Sequence, residues 1–270
     1  MTFKSSISNI AWPSSSREHI YGLLSRSGVA GIEMAPTKIR PWDDLTPADL
    51  ATERQLLASC GLVVSSYQAI FFGLPELQLL GDGDSFERMR RHTVRVAQIA
   101  EQLSGGGVGV FGAPRNRQRG ALTEREAFDL GTERFSLLAE DIAPYSFALS
   151  LEPAPAEYGG NFLQTTTDCA RMVRKVGRQN FRLHLDTGCL KLSGEDTLTV
   201  IQKYADLIGH VHLSQPNLAP IQTTEKRFAD LTSGLKSIKY SAWLAIEMRE
   251  APDPEQAIRQ AIAVLSDCQI

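Results

Sequence analysis

Eight short runs along the chain place apolar residues as strands do: SISNIAW (6–12), GIEMA (31–35), LVVSSYQ (62–68), GVGVFGA (107–113), ALSLE (148–152), FRLHLD (181–186), IGHVHL (208–213) and WLAIEM (243–248). Between them lie segments with helical spacing, charged faces and capping residues. They predict helices over Ser16 to Ser27, Thr46 to Ser59, Asp84 to Leu103, Thr123 to Asp141, Thr165 to Val176, Asp196 to Leu207, Thr224 to Ile238 and Asp253 to Leu265. Strict alternation of strand and helix predicts a parallel sheet, either closed or doubly wound. Eight units in 270 residues favour closure into a (β/α)8 TIM barrel, a single domain over residues 1–270. No GxGxxG loop and no GxxxxGK loop follows the first strand, which removes the mark of an open nucleotide-binding sheet.

Four of the runs in the second half end in a residue that binds metals: Glu152 after ALSLE, Asp186 after FRLHLD, His212 in IGHVH, and Glu247 after WLAIE. Their separations of 34, 26 and 35 residues are about one strand-helix unit each, so the spacing predicts that all four meet at the carboxyl end of the barrel. Three carboxylates and one imidazole suit a hard or borderline divalent cation such as Mn, Mg, Co or Zn. Acidic residues also follow strands as helix caps, and Asp186 before Thr-Gly fits that simpler role. Glu152 and Glu247 fit it less well. Each has poor strand propensity, directly follows an apolar strand, and is costly to bury without a partner, which a shared cation supplies.

Composition narrows the function further. A net charge of -3 and dispersed Lys and Arg give no footprint for nucleic acid. The opening MTFKSSISNIAWPSSS lacks the apolar core of a signal peptide, and no run reaches the length of a membrane span, so a soluble cytoplasmic protein is expected. Cys60, Cys169, Cys189 and Cys268 form no CxxC pair and are read as reduced thiols.

The order Glu, Asp, His, Glu within SLEP, HLDTG, HVHLS and AIEM, with GIEMAP and VFGAPRNR earlier, resembles the xylose-isomerase-like sugar phosphate isomerase/epimerase superfamily. Hydroxypyruvate isomerases, D-tagatose 3-epimerase-type ketose epimerases and inosose dehydratases belong to it, and the resemblance spans nearly the whole chain. It implies that Glu152, Asp186, His212 and Glu247 bind one divalent ion, taken as manganese with magnesium, cobalt or zinc as alternatives. It further implies that Glu152 and Glu247 are an acid-base pair on opposite faces of a polyhydroxylated small molecule, with or without an anionic group. A proton next to a carbonyl is too weakly acidic to remove at neutral pH unless the enediolate is stabilised, which a metal does as a Lewis acid. Barrels of this superfamily commonly form dimers or tetramers, so a homo-oligomer is expected.

Two departures mark the substrate end. Where ketose 3-epimerases carry a histidine three residues beyond the ligand Asp, this chain has Cys189, and where they carry an arginine six residues beyond the ligand His it has Leu218. Three functions follow: an isomerase or epimerase of a sugar or sugar-derived hydroxy-carbonyl compound, a dehydratase working through the same enolate, and a non-catalytic binding barrel. Related barrel endonucleases that cut abasic DNA use a histidine-rich three-zinc cluster, and five histidines without a basic face do not suit one.

Further substrate contacts are expected from residues near the same strand ends. His184 and His210 lie two residues before ligands and share their strand face, which suits substrate binding, bracing of a ligand or simple core packing. Arg115 and Arg117 in GAPRNRQR suit a phosphate or carboxylate, or a solvated basic loop. Glu157, Tyr158 and Asn161 lie in the Pro- and Gly-rich loop after the fifth strand, and Gln215 and Asn217 follow the ligand His. Glu33, at the end of GIEMA, is expected to touch substrate or brace an arginine. Trp12, Tyr67, Gln68 and Phe71 form either a wall of the site or ordinary packing.

Overall fold

The structure, a computed structural model, describes residues 3–269, without the side chains of 268 and 269. Eight parallel strands run in order round a closed barrel: β1 (Lys4–Ser8), β2 (Gly31–Met34), β3 (Val63–Tyr67), β4 (Gly107–Phe111), β5 (Phe147–Leu151), β6 (Phe181–Asp186), β7 (Ile208–Ser214) and β8 (Trp243–Glu247). The ring closes where β1 pairs with β8, with Ile7 beside Ile246. Nine helices are described: α1 (Arg17–Arg26), α2 (Pro47–Ser59), α3 (Gly83–Ser104), α4 (Glu124–Asp141), α5 (Thr166–Val176), α6 (Thr187–Ser193), α7 (Thr197–Tyr204), α8 (Lys226–Ser237) and α9 (Pro254–Gln269).

Caps set several of the helix starts. Thr46, Thr123 and Thr165 each accept the backbone N–H of an acidic residue three positions on, whose carboxylate bonds back, so three capping boxes fix α2, α4 and α5. The first strand is shorter than expected: the Ser8 side chain accepts Ile10 N–H and turns residues 9–11 into a 3-10 turn. The unexpected helix is α6. Asp186 caps it through a 2.6 Å bond from Cys189 N–H, and Gly194 at φ 69° ends it, so one residue both finishes β6 and starts a helix.

Period two divides the strands between two environments. Ile32, Leu149, Leu151, Leu183, Leu185, Val211, Leu213, Leu244 and Ile246 are fully buried in the apolar layer between sheet and helices. A run of packed rings, Phe71, Phe111, Phe135 and Phe181 at centroid spacings of 4.8–5.2 Å, threads the same layer. The alternate positions turn inward and are polar: Ser6, Glu33, Ser66, His184, His210 and His212 are each 0–1% exposed. TIM-barrel lumens are usually filled by branched apolar side chains. Here hydrogen bonds fill much of that space. Cys60, Cys169 and Cys189 are free thiols, while the expectation for Cys268 lies outside the described residues.

Candidate active site

The four residues singled out by spacing converge on one atom. His212 Nδ1 lies 3.2 Å from Glu247 Oε2, 3.8 Å from Asp186 Oδ2 and 3.9 Å from Glu152 Oε1. Strand register produces this. Asp186 on β6 stands beside His212 on β7, and Ser214 on β7 beside Glu247 on β8. Glu152 is the first residue past β5, and its N–H is held by Phe111 O at 3.1 Å.

Each member has its own brace. His212 Nε2 bonds Glu33 Oε1 at 2.8 Å, and the same oxygen takes His210 Nε2 at 3.0 Å and the Ser66 hydroxyl at 2.8 Å. Glu33 therefore braces two histidines and not an arginine. With Nε2 so engaged, Nδ1 faces the carboxylates and has no hydrogen-bond partner among the described residues. Ser214 Oγ donates to Asp186 Oδ2 at 2.6 Å and accepts Gly188 N–H at 2.9 Å. Room is reserved as well: a Cβ at Gly112 would lie 2.2 Å from Glu152 Oε2.

The electrostatics describe a centre short of positive charge. Burial, then the carboxylates of Asp186 and Glu247, push the Glu152 carboxyl well above its ordinary range. Burial likewise raises Glu247, against the pull of His212. Although burial opposes its charge, His212 is held well above an ordinary imidazole by Glu33 and Glu247. His184, whose Nε2 lies 3.7 Å from Glu152 Oε1, is held well below by burial and its two histidine neighbours, so it is neutral at pH 7. Crowded carboxylates, an unpartnered imidazole nitrogen and a mixed oxygen and nitrogen donor set fit a divalent cation. One ligand atom from each of Glu152, His184, Asp186 and His212 falls within a 4.8 Å cluster.

A cavity of about 670 Å³ opens from Glu152 and Glu247 across the exits of β3 and β4. Gln68 lines it, buried, its amide donating to Ser8 Oγ. Arg115 lies at its exposed rim. Tyr158 is half-buried, its hydroxyl accepting Asn217 N–H at 2.9 Å, and burial raises its phenol. Glu157 is exposed.

Other candidates stand elsewhere. Arg117 is fully buried behind Glu152, donating from Nη2 to Glu152 O at 2.6 Å, with Nε and Nη1 unpartnered among the described residues. Asn161 turns to the barrel's outside, where Oδ1 accepts Arg119 N–H at 2.8 Å. Gln215 is occupied by Glu225 and Arg227, and Arg227 also donates to Thr187 O at 2.8 Å, tying α8 to the start of α6. Trp12 packs edge-on against Tyr21, and Tyr67 sends its hydroxyl outward to Ser104 at 2.6 Å, so both belong to the core. Cys189 is buried, with burial and then Asp186 pushing its thiol well up, as befits a packed residue and not a nucleophile. The sequence does not single out Ser214, Gly112 or Arg227, although Ser214 ends HVHLS and Gly112 lies in VFGAPRNR.

Residues 22–268 match the xylose isomerase-like TIM barrel family, and the chain belongs to it. It is 25% identical over 250 residues to an L-ribulose 3-epimerase of Mesorhizobium japonicum, covering 89% of this chain and 80% of that one. Over 78 residues it is 32% identical to an inosose dehydratase of Lacticaseibacillus casei, 29% of this chain and 26% of the relative. Its fold superposes on a 3-keto-D-glucoside 4-epimerase from E. coli with a TM-score of 0.82 at 17% identity, covering 98% of this chain and all of that one.

Proposed function

We propose that the protein is a divalent-metal-dependent isomerase or epimerase of a sugar or sugar-derived hydroxy-carbonyl compound. The observation that carries this is the approach of three carboxylates to within 3.9 Å of one unpartnered imidazole nitrogen. Similarity to an L-ribulose 3-epimerase over most of both chains supports it.

Glu152, Asp186, His212 and Glu247 would hold the ion, with manganese the first choice. When bound, it supplies Lewis-acid stabilisation of the charge that develops on the substrate's oxygens. Glu152 and Glu247 leave strands separated by β6 and β7 on the closed ring, so they reach a bound substrate from different sides. One removes the proton next to the carbonyl and the other returns one; return to the same carbon inverts it, and return to its neighbour interchanges aldose and ketose. Asp186 is fixed by Ser214 and the α6 backbone, which suits holding charge and not moving a proton. Neutral His184 and the Tyr158 hydroxyl would hydrogen-bond substrate oxygens.

A dehydratase on the same residues is the second reading, favoured by the local similarity to inosose dehydratase. It shares every step up to proton removal and then expels a β-hydroxyl as water. Product mass separates the two.

Metal content per chain, measured by elemental mass spectrometry, tests the centre itself. Wild type is expected to hold about one divalent ion and an Asp186→Ala, His212→Ala double variant none. Absence of metal from wild type after incubation with Mn, Co, Mg and Zn would remove the proposal.

A further inference from the structure

The cavity that opens from Glu152 and Glu247 does not match a free sugar along most of its length. Its 670 Å³ falls in the roughly 300–1,000 Å³ range that encloses drug-sized ligands. Its carboxylates and Gln68 lie at the deep end. Beyond them the walls come from Phe71, Phe72, Leu74 and Pro75 after β3 and from Val110 and Pro114 of β4 and its exit. A sugar bears hydroxyls on nearly every carbon, and each one set against such a wall without a partner gives up hydration that the wall does not replace.

The wall is held in place by buried polar groups. Asn116 Nδ2 donates to Leu74 O at 2.7 Å and Leu77 O at 2.8 Å, His92 Nε2 meets Ile70 O at 2.7 Å, and Trp42 Nε1 donates to Phe72 O at 2.9 Å. Ala69 and Ala113, one at each edge, adopt left-handed backbone with φ of 52° and 41°. Non-glycine residues hold that conformation only where their surroundings enforce it, and such positions gather at binding sites. Phe71 packs edge-on against Phe111 at 4.9 Å, whereas Phe72 at the rim is 69% exposed.

We infer that the substrate carries an apolar, ring-sized substituent, such as the aglycone of an aryl glycoside with one ring carbon oxidised to the ketone that the proton chemistry needs. It lies along this wall while the hydroxyl-bearing end reaches Glu152 and Glu247. The inference rests on the isomerase reading for what reacts, and adds what else is bound.

Calorimetric titration of manganese-loaded protein with 4-nitrophenyl β-D-glucoside and with methyl β-D-glucoside, which lack the ketone and so report binding alone, tests it. The aryl glycoside is expected to bind at least about tenfold tighter, and Phe72→Ala to weaken it about fivefold while leaving the methyl glycoside unchanged. Equal affinities, including no measurable binding of either, overturn the inference. So does an aryl preference untouched in Phe72→Ala. Deuterium exchange from solvent into a small ketose reads the proton chemistry separately. Exchange without aryl preference leaves the isomerase reading standing and removes this one, and aryl preference without exchange does the reverse.

Discussion

His212 and Glu33, 179 positions apart in sequence, share a 2.8 Å hydrogen bond at the centre of the barrel, and that bond decides which imidazole nitrogen faces the carboxylates. Orientation of a ligand histidine by a buried carboxylate also raises its basicity toward a metal. Glu33→Gln keeps the shape and removes the charge. It is expected to weaken manganese binding about 10- to 100-fold with a native circular dichroism spectrum. Calorimetry of the two proteins checks this, and equal affinities would show that Glu33 only fills space.

Glu152, proposed as one of the acid-base pair, is predicted to oppose stability. Its folded carboxyl titrates above the ordinary 4.5, so without metal the native state binds more protons than the unfolded state once pH exceeds that value, and stability falls as pH rises. Glu152→Gln escapes the penalty. In EDTA its Tm is expected to exceed that of wild type by a margin that widens from pH 5 to pH 8, on the order of 2–4 °C for each kcal/mol. Manganese should reverse the order, and turnover by the variant should fall at least about 100-fold. Thermal scans in both buffers and a rate assay test the set; a margin that narrows with pH contradicts the electrostatic account.

Gly112 predicts a clean separation of fold from activity. It lacks the left-handed backbone that would itself demand glycine, and the obstacle to a side chain is Glu152 Oε2 at 2.2 Å. Gly112→Ala is therefore expected to fold, with Tm within a few degrees of wild type, and to lose at least about tenfold in turnover by displacing a group that must sit within a fraction of an ångström of its working position. Unchanged kcat would mean that Glu152 tolerates the displacement.

Asn116 touches no carboxylate of the centre, so its loss is expected to loosen the wall alone. Asn116→Ala leaves the carbonyls of Leu74 and Leu77 without their donor, a destabilisation of about 1–3 kcal/mol. Hydrogen exchange should quicken across residues 69–82 while manganese affinity holds. Exchange that stays slow there would assign the loop's order to Trp42 and His92 instead.

The barrel and its four principal residues were legible because both are written in local pattern. Strand runs recur at unit length, and SLEP, HLDTG, HVHLS and AIEM place a polar residue where a parallel strand ends. What supports those residues was not legible. Glu33 meets His210 and His212 through closure of the ring, and nothing in GIEMA shows which residue of β7 it will face. Helix α6 is only seven residues long, too short for periodicity to declare it, and depends on the Asp186 side chain turning back to Cys189. Asn161 and Gln215 look like substrate contacts in the sequence because they follow strands that end in candidate ligands; their amides are held instead by Arg119 N–H and by Glu225 and Arg227. Loop position alone does not reveal where a side chain finds its partner.

The inward and outward faces of each strand answer to different demands. Leu183 and Leu185 lie against helices while His184 between them reaches the carboxylates, and Val211 and Leu213 enclose His212 in the same way. Heritable change along these strands therefore falls into two interleaved registers. Substitutions at the outward parity act through stability alone, whereas those at the inward parity reach the proposed site as well as the buried hydrogen bonds that support it. The inner face of such a barrel can diverge at its strand ends while its shell remains what it was.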